Sequence, residues 1–340
     1  MSKVFVTGGA GYVGTTLVPQ LLADGHQVIV FDRFFFGDFG FSTMRGVECR
    51  VGDIRRITAD DVRGMDAVID LAGLSNDPTC DLDPDLTTQI NHRGTVRVAH
   101  AAAEAGVPRY ILSSSCSVYG HGDDFLDETA PTRPLSRYAE AKRDAEQDIL
   151  ELAARHPDTC FTILRNPTLF GMSPRMRFDL VVNLMTLNAF TQGRVYVMGT
   201  GNHWRPLIHV ADVARAFREV LRAPVSTVSG EIFNVGDDEM NYRIITIAYQ
   251  VKSVLPDTVV DILKEDPERR DYRVRFRKFH ERLGFKASRS VQDGIVEIVE
   301  ALRTGRLVPE DPHWFTLRYY KMLLDAERLF KQFNLDGRIL

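Results

Sequence analysis

Tyr138 and Lys142 stand four residues apart in Tyr138-Ala139-Glu140-Ala141-Lys142, so on a helix they share one face. An ammonium beside a phenol favours the phenolate and lowers its pKa. A tyrosine tuned in this way can exchange a proton with a hydroxyl near neutral pH. Upstream, Ser113-Ser114-Ser115-Cys116-Ser117 leaves a strand read at Arg109–Leu112. A serine hydroxyl there could hold the same oxygen from the other side. Alone, Tyr-x-x-x-Lys is common on surface helices and specifies little. It gains meaning from VFVTGGAGYVG at Val4 to Gly14, where an apolar strand, a glycine turn and an apolar-periodic helix succeed one another. Gly8 and Gly11 permit a tight turn and close approach to a pyrophosphate, and Gly14 permits close helix–strand packing. Tyr12 and Val13 then open a helix whose N–H groups suit an anion. The second strand, Gln27 to Phe31, ends in Asp32. An acid about 20 residues beyond such a loop binds the ribose hydroxyls of NAD. Arg33 beside it leaves NADP open, because a base there accepts a 2′-phosphate.

The elements that must position these residues alternate as strand and helix through the first half, as a doubly wound parallel α/β sheet requires. Glu48 to Val51 reads as the third strand, and Asp53 and Ile54 follow Gly52 where they could meet an adenine. Ala67 to Leu71 reads as the fourth. Leu71, Ala72 and Gly73 at its end would let a cofactor lie against backbone, and Ser75 lies just beyond as a substrate contact. A long helix pattern covers Leu86 to Gly106, with Asn91 and His92 inside it. Three consecutive aromatics, Phe34-Phe35-Phe36, follow Arg33. They either pack under an adenine or cover their own loop.

Composition narrows the field. The 340 residues are 44% hydrophobic and 26% charged, with net charge -4 and acids and bases mixed along the chain. That supports a sizeable core and gives no basic footprint for nucleic acid. Cys49, Cys80, Cys116 and Cys160 are scattered without metal-ligand or disulfide spacing, so no metal is expected and a reducing cytoplasm is. The first strand begins almost at Met1, so no signal peptide is expected, and no apolar run is long enough for a membrane span.

Together, TGGAGYVG, Asp32, Gly52-Asp53, SSSCSVYG, YAEAK and the later RPLIHVADV at Arg205 to Val213 resemble an extended short-chain dehydrogenase/reductase of the nucleotide-sugar epimerase/dehydratase family. The resemblance covers residues 3 to 290. It implies a Rossmann-type fold with a smaller C-terminal substrate lobe, and a catalytic triad of Ser115, Tyr138 and Lys142. Tyr138 and Lys142 would also touch the cofactor. In the family, dehydratases carry Asp-Glu after the serine. Here the pair is Cys116-Ser117, and the Ser117 hydroxyl resembles the 4-epimerases. Asn166 falls in the segment that meets the nicotinamide. Asn183, Arg205 and Arg270, the last within Arg269-Arg270-Asp271, are similar to residues that hold the substrate's phosphates.

The resemblance implies an NAD-dependent epimerase that inverts C4 of a nucleotide-diphosphate sugar through a transient 4-keto form. An NAD(P)H-dependent reductase of a keto-sugar nucleotide and a non-catalytic NAD-binding regulator are the competing readings. Residues 1–171, with 206–237 returning, are read as the NAD-binding domain. Residues 172–205 and 238–306 form the substrate lobe, and 307–340 a helical tail packed on the body or on a partner. A homodimer through the Leu86 to Gly106 helix and the Tyr138 helix is expected, from apolar positions on both and from the resemblance.

Overall fold

The computed structural model describes residues 1–265, 270–334 and 337–338. Its centre is a seven-stranded parallel sheet. Strands β1 (Lys3–Thr7), β2 (Gln27–Asp32) and β3 (Val47–Val51) run outward on one side. The chain then crosses back to lay β4 (Ala67–Asp70) and β5 (Arg109–Ser115) on the other side of β1. Cys160–Asn166 and Glu231–Asn234 complete that side. The order therefore reverses between β1 and β4, and a doubly wound sheet opens its ligand crevice at the carboxyl ends there.

Both faces are covered because the strands are apolar on both. Helix α1 (Gly14–Ala23) lays Leu17, Val18 and Leu21 on one face beside Phe217 of the helix Val210–Arg222. The other face meets Val98 and Ala102 of Thr95–Glu104, and Ile149 and Leu152 of Arg137–Arg155. These apolar positions are spent on the sheet. The outward side of the two helices carries Arg93, Arg97, Glu104, Gln147 and Glu151, with Val96 half-buried among them, so that face is more polar than the expectation of a partner supposed.

Two other expectations are modified. The long helix starts at Pro84 and contains a π-helical turn, Thr88–Gly94, before Thr95–Glu104. That turn aims the buried Asn91 amide at Leu74, donating to its carbonyl and accepting from its N–H, both at 2.8 Å. Asn91 thus fixes the loop after β4. His92 reaches the Tyr138 helix instead, meeting Asp148 at 2.7 Å. In the 206–237 return, the helix Val210–Arg222 and strand Glu231–Asn234 do rejoin the main body. Trp204–His209 does not enter the seven-stranded sheet; it pairs with Thr168–Phe170 and Asn241–Arg243.

A second core forms from Val182, Met185, Ile247, Val251, Ile295 and Val299, on three helices of the C-terminal half. The tail adds a helix, Thr316–Phe333. Among the described residues, no helix is long and apolar enough to cross a membrane.

Candidate active site

A cavity of about 1250 Å³ runs from the glycine turn to the second lobe. At one end, Gly8 has φ +65°, and a Cβ added to it would lie 2.7 Å from the Ala72 backbone. Only glycine lets β1 and β4 diverge so closely, and the cradle lies at the switch point of the sheet. Asp32 accepts from the backbone N–H groups of Ala10 (3.0 Å) and Phe34 (2.9 Å). Burial raises its pKa, and those amides oppose the rise. Val13, Leu71, Ala72 and Gly73 line the same end. Tyr12 lines it too, with its hydroxyl donating to the Gly171 carbonyl at 2.5 Å.

Beyond Asp32, Asp53 gathers two guanidiniums. Arg55 binds it at 2.6 Å and Arg33 at 3.2 Å. The Arg55 hydrogen bond is the main cause holding the Asp53 carboxyl down at about 2. Ile54 follows it on the cavity wall. Arg33, the residue that left NADP open, is thus drawn to Asp53. We expect NAD to bind at least ~10-fold more tightly than NADP, because Asp32 repels a 2′-phosphate and Arg33 is already partnered. Titration of both dinucleotides checks this; tighter NADP binding would overturn it.

In the middle of the cavity, β5 delivers Ser115 and the helix Arg137–Arg155 delivers Tyr138 and Lys142. Ser136 caps that helix by accepting from the Ala139 N–H at 3.3 Å, which fixes where its first turn begins. The Ser115 hydroxyl is within hydrogen-bonding reach of Tyr138 and accepts from the Ser117 N–H at 3.1 Å. Lys142 Nζ donates to the Ser113 carbonyl at 2.9 Å. Burial lowers the Lys142 pKa against the pull of Asp70. Burial also dominates Tyr138: its pKa is raised, with the Ser115 bond and Arg177 pulling the other way. The lowering expected from Lys142 does not set the direction here: burial does, and the ammonium is engaged at the Ser113 carbonyl.

Ser117 Oγ and Asn166 Oδ1 are buried with no partner among the described residues, and both residues line the cavity. Polar atoms left so are rare unless a ligand completes them. Cys116 is different. It is fully buried behind the strand, its Sγ 3.3 Å from the Arg165 carbonyl, and burial pushes its thiol well up. It does not line the cavity.

At the far end, Ser75, Arg205, Arg270 and Tyr272 face the cavity. Arg270 binds Asp77 at 2.7 Å, and Asp77 also accepts from Ser136. Arg205 Nη1 donates to the Trp204 carbonyl at 2.7 Å. Arg269 lies outside the described residues. Asn183 departs from its expected role. It is fully buried, does not line the cavity, and spends its amide on the Gly171 N–H (3.0 Å) and the Arg177 carbonyl (2.9 Å). Its neighbourhood needs those bonds to hold the turn after Phe170, so no phosphate contact remains for it.

Sequence reasoning missed Arg55, Asn76, Asp77, Arg177 and Asp179, all on the cavity wall. Arg177 binds Asp179 at 2.7 Å, and Asn76 donates to the same acid. Asn76 and Asp77 begin a cap pattern, Asn76-Asp77-Pro78, in which Asn76 accepts from the Thr79 N–H; it reads as structure rather than as a site.

The glycine cradle, the acid at the end of β2 and the Asn166 Oδ1, which has no partner among the described residues, fit a dinucleotide. The chain matches the NAD dependent epimerase/dehydratase family over residues 4–236, and it belongs to that family. It is an enzyme of that family, and its cofactor is NAD. It is 27% identical to UDP-glucuronic acid decarboxylase 1 of Danio rerio over 314 residues, covering 88% of this chain and 72% of that protein. It is equally 27% identical to UDP-glucose 4-epimerase of Neisseria meningitidis serogroup C over 292 residues, covering 74% and 86%. The structure of DesIV, a dTDP-glucose 4,6-dehydratase of Streptomyces venezuelae with NAD and TYD bound, superposes with a TM-score of 0.79. There the identity is 25%, covering 89% of this chain and 98% of that one.

Proposed function

We propose that this enzyme is an NAD-dependent nucleotide-sugar epimerase that inverts C4 through a transient 4-keto sugar nucleotide. The observation that carries the reading is the residue set around Tyr138: Ser115 within its reach, Lys142 one turn on, and Ser117 where an eliminating enzyme of this family needs a carboxylate. Bound NAD supplies the group that accepts and returns hydride. Gly8, Asp32 and Asn166 would hold it. Tyr138 takes the proton of the C4 hydroxyl and later returns it to the same oxygen. Ser115 orients that oxygen, and Lys142 favours the phenolate. Arg205 and Arg270 suit the diphosphate, because guanidiniums pair with phosphate oxygens in bidentate fashion.

Cys116 does not compete as an acid/base, since it is packed away from the cavity and its thiol is pushed up. The drawing of Arg33 to Asp53 disfavours the NADPH-dependent reductase.

The test supplies UDP-, dTDP-, GDP- and CDP-sugars to catalytic enzyme without added dinucleotide. We expect the C4 epimer of one of them to form with no accumulating NADH. Stoichiometric NADPH consumption would move the protein to the reductases. Loss of water or carbon dioxide from the sugar would move it to the dehydratases or decarboxylases.

A further inference from the structure

Next to the start of α1, the cavity wall holds a buried cation, Arg175. Arg175 is 2% exposed. Its Nη1 donates to the Met176 carbonyl at 3.2 Å, and its Nη2 to Thr316 Oγ1 at 3.0 Å. Its Nε is buried with no partner among the described residues. The guanidinium lies over the Phe36 ring, 3.8 Å from the centroid. Its own backbone N–H donates to Thr15 Oγ1 at 3.3 Å, in the first turn of α1. Arg175 therefore stands beside the helix N-terminus that suits a diphosphate.

The charges around Arg175 do not cancel it. Arg177 adds a second buried cation, and Asp179 is bonded to Arg177. Asp32 feels its field but is bonded to two backbone amides. A buried guanidinium with no carboxylate of its own is costly, and an anion from outside would complete it.

Thr316, which anchors Arg175, is the first residue of the helix Thr316–Phe333. That helix lines the cavity along one side. Tyr319 donates to the Phe35 carbonyl at 2.9 Å, and the Tyr320 ring packs edge-on to Phe36 with centroids 5.5 Å apart. Leu317, Tyr320, Leu323 and Leu324 face inward, and Glu327 lies within electrostatic range of Arg55. The aromatic loop after Asp32 is thus a seat for the tail.

We propose that Arg175, seated by Thr316, binds the diphosphate of the dinucleotide, and that the helix Thr316–Phe333 is the outer wall that slows release of the cofactor. The inference rests on NAD as cofactor and is independent of the epimerase reading, because its test measures binding and not turnover. The diphosphate of a nucleotide sugar has the same chemistry, so the two ligands form separate arms.

The full-length chain, stripped of nucleotide, is titrated with NAD, ADP-ribose, adenosine and UDP-glucose. Arg175→Gln should weaken NAD and ADP-ribose by ~10-fold or more, the scale of a lost charge-assisted bond. Adenosine, which carries no diphosphate, should change less than ~2-fold, and so should UDP-glucose. A merely structural role would weaken adenosine in parallel and would overturn the proposal. Weakening of UDP-glucose alone would assign Arg175 to the sugar nucleotide and overturn it too. If the glutamine variant does not fold, Arg175→Lys keeps the charge but loses the fork, and unchanged ADP-ribose affinity would be equally fatal. Tyr320→Ala and Thr316→Val should speed NAD release in stopped flow by ~5-fold or more, with circular dichroism unchanged; an unaltered release rate would refute the outer wall.

Discussion

Tyr138→Phe is expected to lose at least ~100-fold in turnover, the usual scale of lost general acid–base help, while NAD binding and the fold survive. The substitution removes one oxygen and keeps the ring, which is half-buried in the cavity wall, so packing is preserved. The size of the loss follows from what the hydroxyl must do. Burial raises its pKa, so at neutral pH the unaided phenol is protonated and a poor base. Lys142, one turn along the same helix, is the charge of this chain that can offset that burial. The sign is testable. The reaction needs the phenolate, so the rate rises with pH until the tyrosine of the loaded enzyme has lost its proton. Lys142→Met removes a stabilising cation, so the acid limb of the pH–rate profile should move to higher pH. A limb that stays in place, or a Tyr138→Phe variant within ~3-fold of the parent, would remove Tyr138 from its role. Ser115→Ala should cost less, because it deletes an orienting bond and leaves the proton carrier.

The first half of the chain was legible because its signals are local. A glycine turn needs particular φ values, a parallel strand needs an apolar run, and Tyr138 and Lys142 need only helical spacing. Each constraint acts within a few residues, and the structure places Gly8, Asp32, Ser115, Tyr138 and Lys142 on one cavity. Asn183 was misjudged for the opposite reason. Its position in the chain suits a ligand contact, but its partners are the Gly171 backbone and Tyr12, 12 and 171 residues away. No periodicity announces such a pairing. The tail shows the same limit. Its helical apolar spacing was visible, whereas the docking of Tyr319 and Tyr320 on Phe35 and Phe36 joins segments far apart in the chain, 284 residues in the case of the Tyr319–Phe35 hydrogen bond. The π-helical turn at Asn91 was hidden because it is a single wide turn inside an otherwise continuous helix, set by the pairing of Asn91 with Leu74 and by no local residue signal.

Glu146→Ala is expected to destabilise the fold by about 3–5 kcal/mol, the range for breaking a buried ion pair from one side. Glu146 lies one turn beyond Lys142 on the Tyr138 helix, and its side chain is 3% exposed. It meets Arg165 through Nε at 3.0 Å and Nη2 at 2.6 Å, and it accepts from the Ser114 hydroxyl. Arg165 in turn donates to the Tyr119 hydroxyl at 2.9 Å, which donates to Asn234 at 2.9 Å. Burial pulls the guanidinium pKa down, but Glu146 outweighs it and holds the charge. Removing the acid strands that cation between β5 and the strand Cys160–Asn166. Removing both charges in Glu146→Leu/Arg165→Met should recover most of the loss, because no charge is then left unpaired. Denaturant titration of Glu146→Leu, Arg165→Met and the double variant gives the coupling energy. The same network ties the Tyr138 helix to the strand that carries Ser115, so kcat of the single variant should fall further than its folded fraction. A single variant with parental stability, or one whose kcat follows only the folded fraction, would show that the pair neither supports the core nor aligns Tyr138 with Ser115.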